Sequence, residues 1–206
     1  MMNSAMKHTL TALAILLSGA LAMAQTPTAP APAATDSGLI KNGDFEIAVD
    51  PAECRQMAPW TFETEEAPQS WEFHNQVGAV LLGKGDAASG SRFLRIKSDK
   101  MAIIMQKIAL DAPGAVQVSM KLRGNGTIGI YRLCYNKQTG KYLKTPQLGA
   151  NVKLSSKEWI DFNETYQYDG SSTEYLGLFV TSPEGIDVDR IVVKYASETA
   201  PAPEKK

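Results

Sequence analysis

Beyond the first two dozen residues the chain holds a single histidine, His74. A histidine-rich zinc site is therefore excluded, and only one imidazole is left to serve as a general base. Glu63, Glu65 and Glu66 form an acidic cluster. Paired carboxylates hydrolyse glycosides when they face each other across a cleft, but near neighbours in a polar segment read as a solvated loop. There is no G-x-S-x-G elbow, no H-E-x-x-H and no Gly-rich phosphate loop. No catalytic constellation assembles, so the chain reads as a non-enzyme.

Other residues have binding chemistry. Gln117, Ser119, Lys121 and Arg123 occupy alternate positions, followed by Tyr131 and Tyr135, and later by Tyr175 and Phe179. Trp60 and Tyr142 fall in segments rich in turn residues. Aromatic planes accept the CH faces of pyranoses, while amides, hydroxyls and cations take up the hydroxyls. Lys121 and Arg123 add the capacity to pair with an acidic sugar. The competing reading is ordinary: Tyr and Phe fit any half-buried pleated surface, and charges on strands are commonly solvated.

These side chains require strands to position them. Val116, Val118, Met120 and Leu122 alternate with the polar set, as in a strand with one buried and one open face. Gly124-Asn125-Gly126 predicts a tight reversal, with Thr127 to Tyr135 as the returning strand. Ile128 and Ile130 then lie on one face, and Tyr131, Leu133 and Tyr135 on the other. Asn136 to Gly140 predicts another turn. Further runs at Arg92–Lys97, Met101–Leu110, Trp159–Tyr168, Tyr175–Thr181 and Ile186–Tyr195 are separated by Gly, Pro, Asp and Ser. With no interleaved helices, this spacing predicts an all-β sandwich of jelly-roll type.

The flanks differ in composition. Lys7 and His8 precede an apolar run from Leu10 to Leu21, and Ala22-Met23-Ala24 reads as a cleavage site, so residues 1–24 are expected to be a signal peptide. Residues 25–38 are rich in Pro, Ala and Thr and read as an extended linker. The folded domain is expected at 39–196, with a tail at 197–206 and no membrane span after signal cleavage. Export implies a secreted or periplasmic protein. The net charge of −1 leaves no electrostatic footprint for nucleic acid. An oxidising compartment permits a Cys54–Cys134 disulfide. It would close a loop of about 80 residues, worth about 3–5 kcal/mol, the alternative being two separately buried thiols.

The opening Asn42-Gly43-Asp44-Phe45-Glu46 and the terminal strand Ile186-Asp187-Val188-Asp189-Arg190-Ile191-Val192-Val193 resemble the two ends of galactose-binding-like jelly rolls. That group includes carbohydrate-binding modules of bacterial glycoside hydrolases. Pro68-Gln69-Ser70-Trp71, the small-residue turn Ala88–Ser91 and Trp159-Ile160-Asp161-Phe162 are similar to its internal landmarks. The insert between Glu46 and Trp71 departs from the pattern, while the resemblance implies that Trp71 and Trp159 are core residues. The resemblance implies a structural Ca²⁺ held by the carboxylates of Glu46 and Asp189 and by carbonyls near Gly43 and Ala88, with Asp187 able to assist. Mixed carboxylate and carbonyl oxygens suit this ion.

The leading expectation is a non-catalytic module that binds a poly- or oligosaccharide through a sheet face or edge loops. The alternatives are a structural module of the cell envelope with a protein partner, and a small glycan-active enzyme.

Overall fold

The computed structural model describes residues 38–74 and 78–196. The expected signal peptide, linker and tail lie outside the described residues. Ten strands follow one another: β1 (Ala48–Val49), β2 (Thr61–Phe62), β3 (Ala67–Pro68), β4 (Glu72–His74), β5 (Ala79–Lys84), β6 (Arg92–Lys107), β7 (Gly114–Asn136), β8 (Tyr142–Lys144), β9 (Gln147–Tyr168) and β10 (Ser172–Tyr195). β1 and β3 form a small separate ladder. The main sheet runs β2-β5-β6-β10-β7-β8, with β4 also on β6 and β9 also on β7. The architecture is an all-β sandwich of jelly-roll type, as the residue pattern predicts.

The strands are longer than expected. Gly124-Asn125-Gly126 does not reverse the chain. β7 continues through it, and its pairing with β10 advances in one direction from Ser172↔Asn136 to Tyr195↔Val116. The glycines serve a kink: φ is 121° at Gly124 and 146° at Gly126. A Cβ on Gly126 would stand 2.6 Å from the Ser182 Cβ and 2.7 Å from the Thr181 carbonyl oxygen. Backbone this close, at positive φ, admits only glycine. β10 is disrupted opposite, between Thr181 and Gly185. In the same way the two runs expected at Arg92–Lys97 and Met101–Leu110 merge into β6. The predicted turn after β7 is present, with the Asn136 side chain accepting from the amides of Gln138 and Thr139.

Alternation survives the kink. Val116, Val118, Met120, Leu122, Ile128 and Ile130 are all buried on one side of β7, and Leu176, Leu178 and Val180 join them from β10. Both halves of each long strand thus feed one core.

The opening motif closes that core at one end. Asn42 adopts φ 49°. Its side-chain amide donates to the carbonyls of Ile47 and Gln69, and its Oδ1 accepts from the Ile47 amide. Phe45 is fully buried against Trp71, whose indole donates to the Asn42 carbonyl. Trp71 is a core residue, as expected. Trp60 lies in the loop just before β2 but is closed to a ligand: it is 8 % exposed and packs edge-on against Phe73. Trp159 departs in the other direction, half-buried outside the core with Arg123 over its ring.

Cys54 and Cys134 are both free. Cys54 Sγ contacts the Pro68 carbonyl beside the small ladder, whereas Cys134 points inward from β7 toward Glu174 on β10. The disulfide expectation is overturned because the cysteines sit in these separate environments. Burial and the Glu174 charge push the Cys134 thiol up to about 11. No helix among the described residues is long and apolar enough to cross a membrane.

Candidate functional site

The outward residues of five neighbouring strands build an open face. Across the sheet the register aligns Glu72 (β4), Met105 (β6), Gly177 (β10), Tyr131 (β7) and Gln147 (β9) in one row. The next row aligns His74, Ile103, Phe179 and Gly129. Toward the other end, Tyr175 lies beside Leu133 and Thr173 beside Tyr135, which itself pairs with Tyr142 on β8.

Two aromatic groups occupy this face. Tyr131 and Phe179 have ring centroids 4.3 Å apart. Tyr135 meets Tyr175 at 5.5 Å and Tyr142 at 5.9 Å, both edge to face. Tyr142 is 58 % exposed and the other four rings are half-buried. Glycine shapes the floor. A Cβ on Gly129 would lie 2.5 Å from Tyr131 Cε2 and 2.6 Å from Asn151 Oδ1, so ring and amide both rest on the bare backbone. Asn151 also accepts a 2.7 Å hydrogen bond from the Gln147 amide. At the opposite margin Glu72 accepts from Arg55 and pairs with His74 at 3.0 Å. Rings, amides and a carboxylate thus converge on one surface.

Tyr131, Tyr135 and Tyr175 are therefore brought together as expected, and Tyr142, expected in an edge loop, joins them from β8. Gln117, Lys121 and Arg123 are not, since they lie beyond the kink on the other half of β7. The eight residues from Arg123 to Tyr131 span about 26 Å at strand rise, too far to share one sugar. Lys121 pairs with Asp161 at 2.8 Å. Arg123 is 8 % exposed and donates to Asp187 and Asp86. Glu72, Arg55, Gln147 and Asn151 escaped the sequence reading, which weighed His74 only as a general base. Short β4 carries no periodicity, and the register that carries Gln147 and Asn151 to Tyr131 is set only on folding.

The acidic cluster is structural. Glu66 pairs with Arg92 and Lys84, and Glu63 with Lys97. The hydrogen bond from Arg92 holds the Glu66 carboxyl below its usual range.

The chain ends meet differently from the implied calcium arrangement. Glu46 accepts from the amides of Ser91 and Arg92 and from the Ser91 hydroxyl. The Gly43 carbonyl accepts from Ile191. Asp189 is fully buried and accepts from the amides of Ser89 and Arg190, and Ala88 also faces it with its backbone amide. Asp187 points elsewhere, to Arg95 and Arg123. The carboxylate that faces Asp189 is Asp44, itself 3 % exposed. Burial, with the Asp44 charge adding to it, pushes the Asp189 carboxyl up to about 7. No group of three or more His, Cys, Asp or Glu side chains suited to a metal occurs among the described residues. Asp44 and Asp189 are the two buried carboxylates that this junction brings under each other's charge.

No protein-family model and no curated protein matches the chain. Solved structures do. The C-terminal family 22 carbohydrate-binding module of Clostridium thermocellum Xyn10B is 12% identical with a TM-score of 0.52, over 65% of this chain and 90% of that one. The CBM22-1–GH10 modules of the same organism's endo-1,4-beta-D-xylanase 10B, complexed with xylohexaose, are 13% identical with a TM-score of 0.53, over 65% of this chain and 27% of that one. The enzymatically active domain of bacteriophage CBA120 tailspike protein 4 is 14% identical with a TM-score of 0.53, over 62% of this chain and 20% of that one. Identity this low speaks to architecture: the chain has the jelly-roll fold found in family 22 carbohydrate-binding modules.

Proposed function

We propose that the protein is a non-catalytic glycan-binding module that acts after export and holds a neutral polysaccharide across the face of Tyr131, Tyr135, Tyr142, Tyr175 and Phe179. The observation that carries this is the open aromatic face itself. Its rings are ordered by their contacts with one another, so little rotamer freedom remains to be lost on binding. Gln147, Asn151 and Glu72 supply amide donors and acceptors for hydroxyls at its margins. The fold shared with xylanase modules complexed with xylohexaose supports a β-linked chain as the first ligand to try.

The residues hold and orient, and no reaction is invoked. Rings stack on the sugar faces and exclude water, which strengthens the flanking hydrogen bonds. A structural Ca²⁺ at Asp44 and Asp189 is part of the same proposal. It would neutralise two buried carboxylates and join the first and last segments of the domain.

The test is calorimetric titration of the whole chain with xylohexaose, cellohexaose and mannohexaose. Binding to one of them, weakened about threefold to tenfold by Tyr131→Ala or by Tyr135→Ala, is expected for the loss of one stacking ring. Folded protein that binds none of these, nor any member of a broad glycan array, would overturn the proposal.

A further inference from the structure

A second polar cavity lies beyond the kink, remote from the aromatic face. Its volume is about 490 Å³, and its lining includes Arg95, Arg123, Asp187, Asp86, Lys157 and Ser155. Gly124 and Gly185 form part of its wall, and a Cβ on Gly124 would stand 2.4 Å from the Gly185 carbonyl oxygen.

The buried Asp187 organises it. From the middle strand β10 it receives Nε and Nη2 of Arg95 from β6, at 2.5 and 2.8 Å, and Nε of Arg123 from β7 at 2.8 Å. Arg123 is further locked between the rings of Trp159 and Phe93, 4.3 and 5.0 Å from its guanidinium carbon. Two forks are thus fixed in place before any ligand arrives. Among the described hydrogen bonds, Arg95 Nη1 and Arg123 Nη2 are not used.

Asp86 shows what this arrangement accepts. It stands at φ 53° on the turn after β5, its side chain is 85 % exposed, and its carboxylate reaches back to Arg123 Nη1. Formal charges around the cavity balance, with Arg95, Arg123 and Lys157 against Asp86, Asp187 and Glu184. The site is therefore no general anion trap. An incoming carboxylate must take the place of Asp86, and planar bidentate geometry is what a guanidinium rewards.

We infer that this cavity is a second binding site, for the carboxylate of an acidic saccharide such as a uronic acid residue, and that the Asp86 carboxylate occupies it in the free protein. Arg95 and Arg123 take the carboxylate, Lys157 adds charge at the rim, and Ser155 donates to a ring hydroxyl. Asp86 is a built-in competitor. The Trp159 indole donates to the Asp86 backbone carbonyl, so the turn is tethered when its side chain lets go.

The test uses the whole chain, with the indole resonance of Trp159 assigned by Trp159→Phe. Tri-galacturonate, xylohexaose and sodium sulfate are titrated separately. Tri-galacturonate is expected to shift that resonance, with an apparent affinity that falls as NaCl rises. Asp86→Asn retains a residue at ease with positive φ and removes the competing charge. It is expected to tighten tri-galacturonate about fivefold, the size of one exposed ion pair. Arg95→Lys keeps a cation beside Asp187 but loses the fork, and is expected to weaken it about tenfold. Lys157→Ala, at an exposed position, is expected to weaken it slightly without touching the fold.

Several results would overturn the inference. They are no response to tri-galacturonate from folded protein, an equal response to xylohexaose at Trp159, affinity unchanged or reduced in Asp86→Asn, or a response to sulfate alone. Tyr131→Ala leaves this site intact, so failure here and failure of the aromatic face are separately visible.

Discussion

Single atoms decide how the aromatic face is shaped. Tyr131 and Asn151 both rest on Gly129, where a methyl group would lie 2.5 and 2.6 Å from them. Gly129→Ala is therefore expected to displace the ring and cut glycan affinity about fivefold, about 1 kcal/mol of stacking. Affinity equal to wild type would show that the ring position is irrelevant to binding. Asn42 makes the complementary case for stability. Its side chain makes three hydrogen bonds that tie the opening motif to Ile47 and Gln69. Asn42→Ala is expected to cost about 2 kcal/mol in urea unfolding, since part-buried backbone groups lose their partner. The Asn of the opening motif was legible as a landmark. Its physical task was not, because the partners lie on segments that only folding brings near.

Elements carry the next set of consequences. The kink in β7 depends on Gly124 and Gly126, which approach β10 backbone to backbone. Gly126→Ala is expected to destabilise by about 2–3 kcal/mol, combining a strained φ with overpacking against Ser182. A loss below half a kcal/mol in chemical denaturation would mean that the close approach relaxes freely. The same glycines misled the sequence reading. Two φ > 0 positions flanking Asn look like a hairpin turn, and a local pattern cannot distinguish a turn from a bend in a continuing strand. Which face each residue takes was nonetheless read correctly, because alternation persists through the kink. Val116, Val118, Met120, Leu122, Ile128 and Ile130 are all buried as expected.

For the molecule as a whole, two expectations follow. Both cysteines are free, so alkylation of unfolded, unreduced protein should add a label at Cys54 and at Cys134, read by intact mass; no addition would reveal a bridge. If Ca²⁺ joins the chain ends at Asp44 and Asp189, millimolar calcium should raise the melting temperature by several degrees over EDTA. A shift of that size corresponds to about 1 kcal/mol in a domain of this length. Identical melting curves would remove calcium from the account. The Asp44→Asn variant should abolish the response, which separates this site from ions bound elsewhere.

The residues alone determined much that rests on local periodicity and composition: the all-β class, the inward and outward faces, and the aromatic set on one side. These follow from the two-residue repeat of a strand and from which side chains are present, and neither depends on distant contacts. Only the tertiary structure decided that Lys121 and Arg123 stand apart from Tyr131 and Tyr135, that Trp60 is core and Trp159 is not, and that the cysteines stay apart. It also placed Asp187 against Arg95, 92 residues away in sequence. Such pairings depend on strand order and register, set by how the whole chain closes its core, and no window of neighbouring residues encodes them.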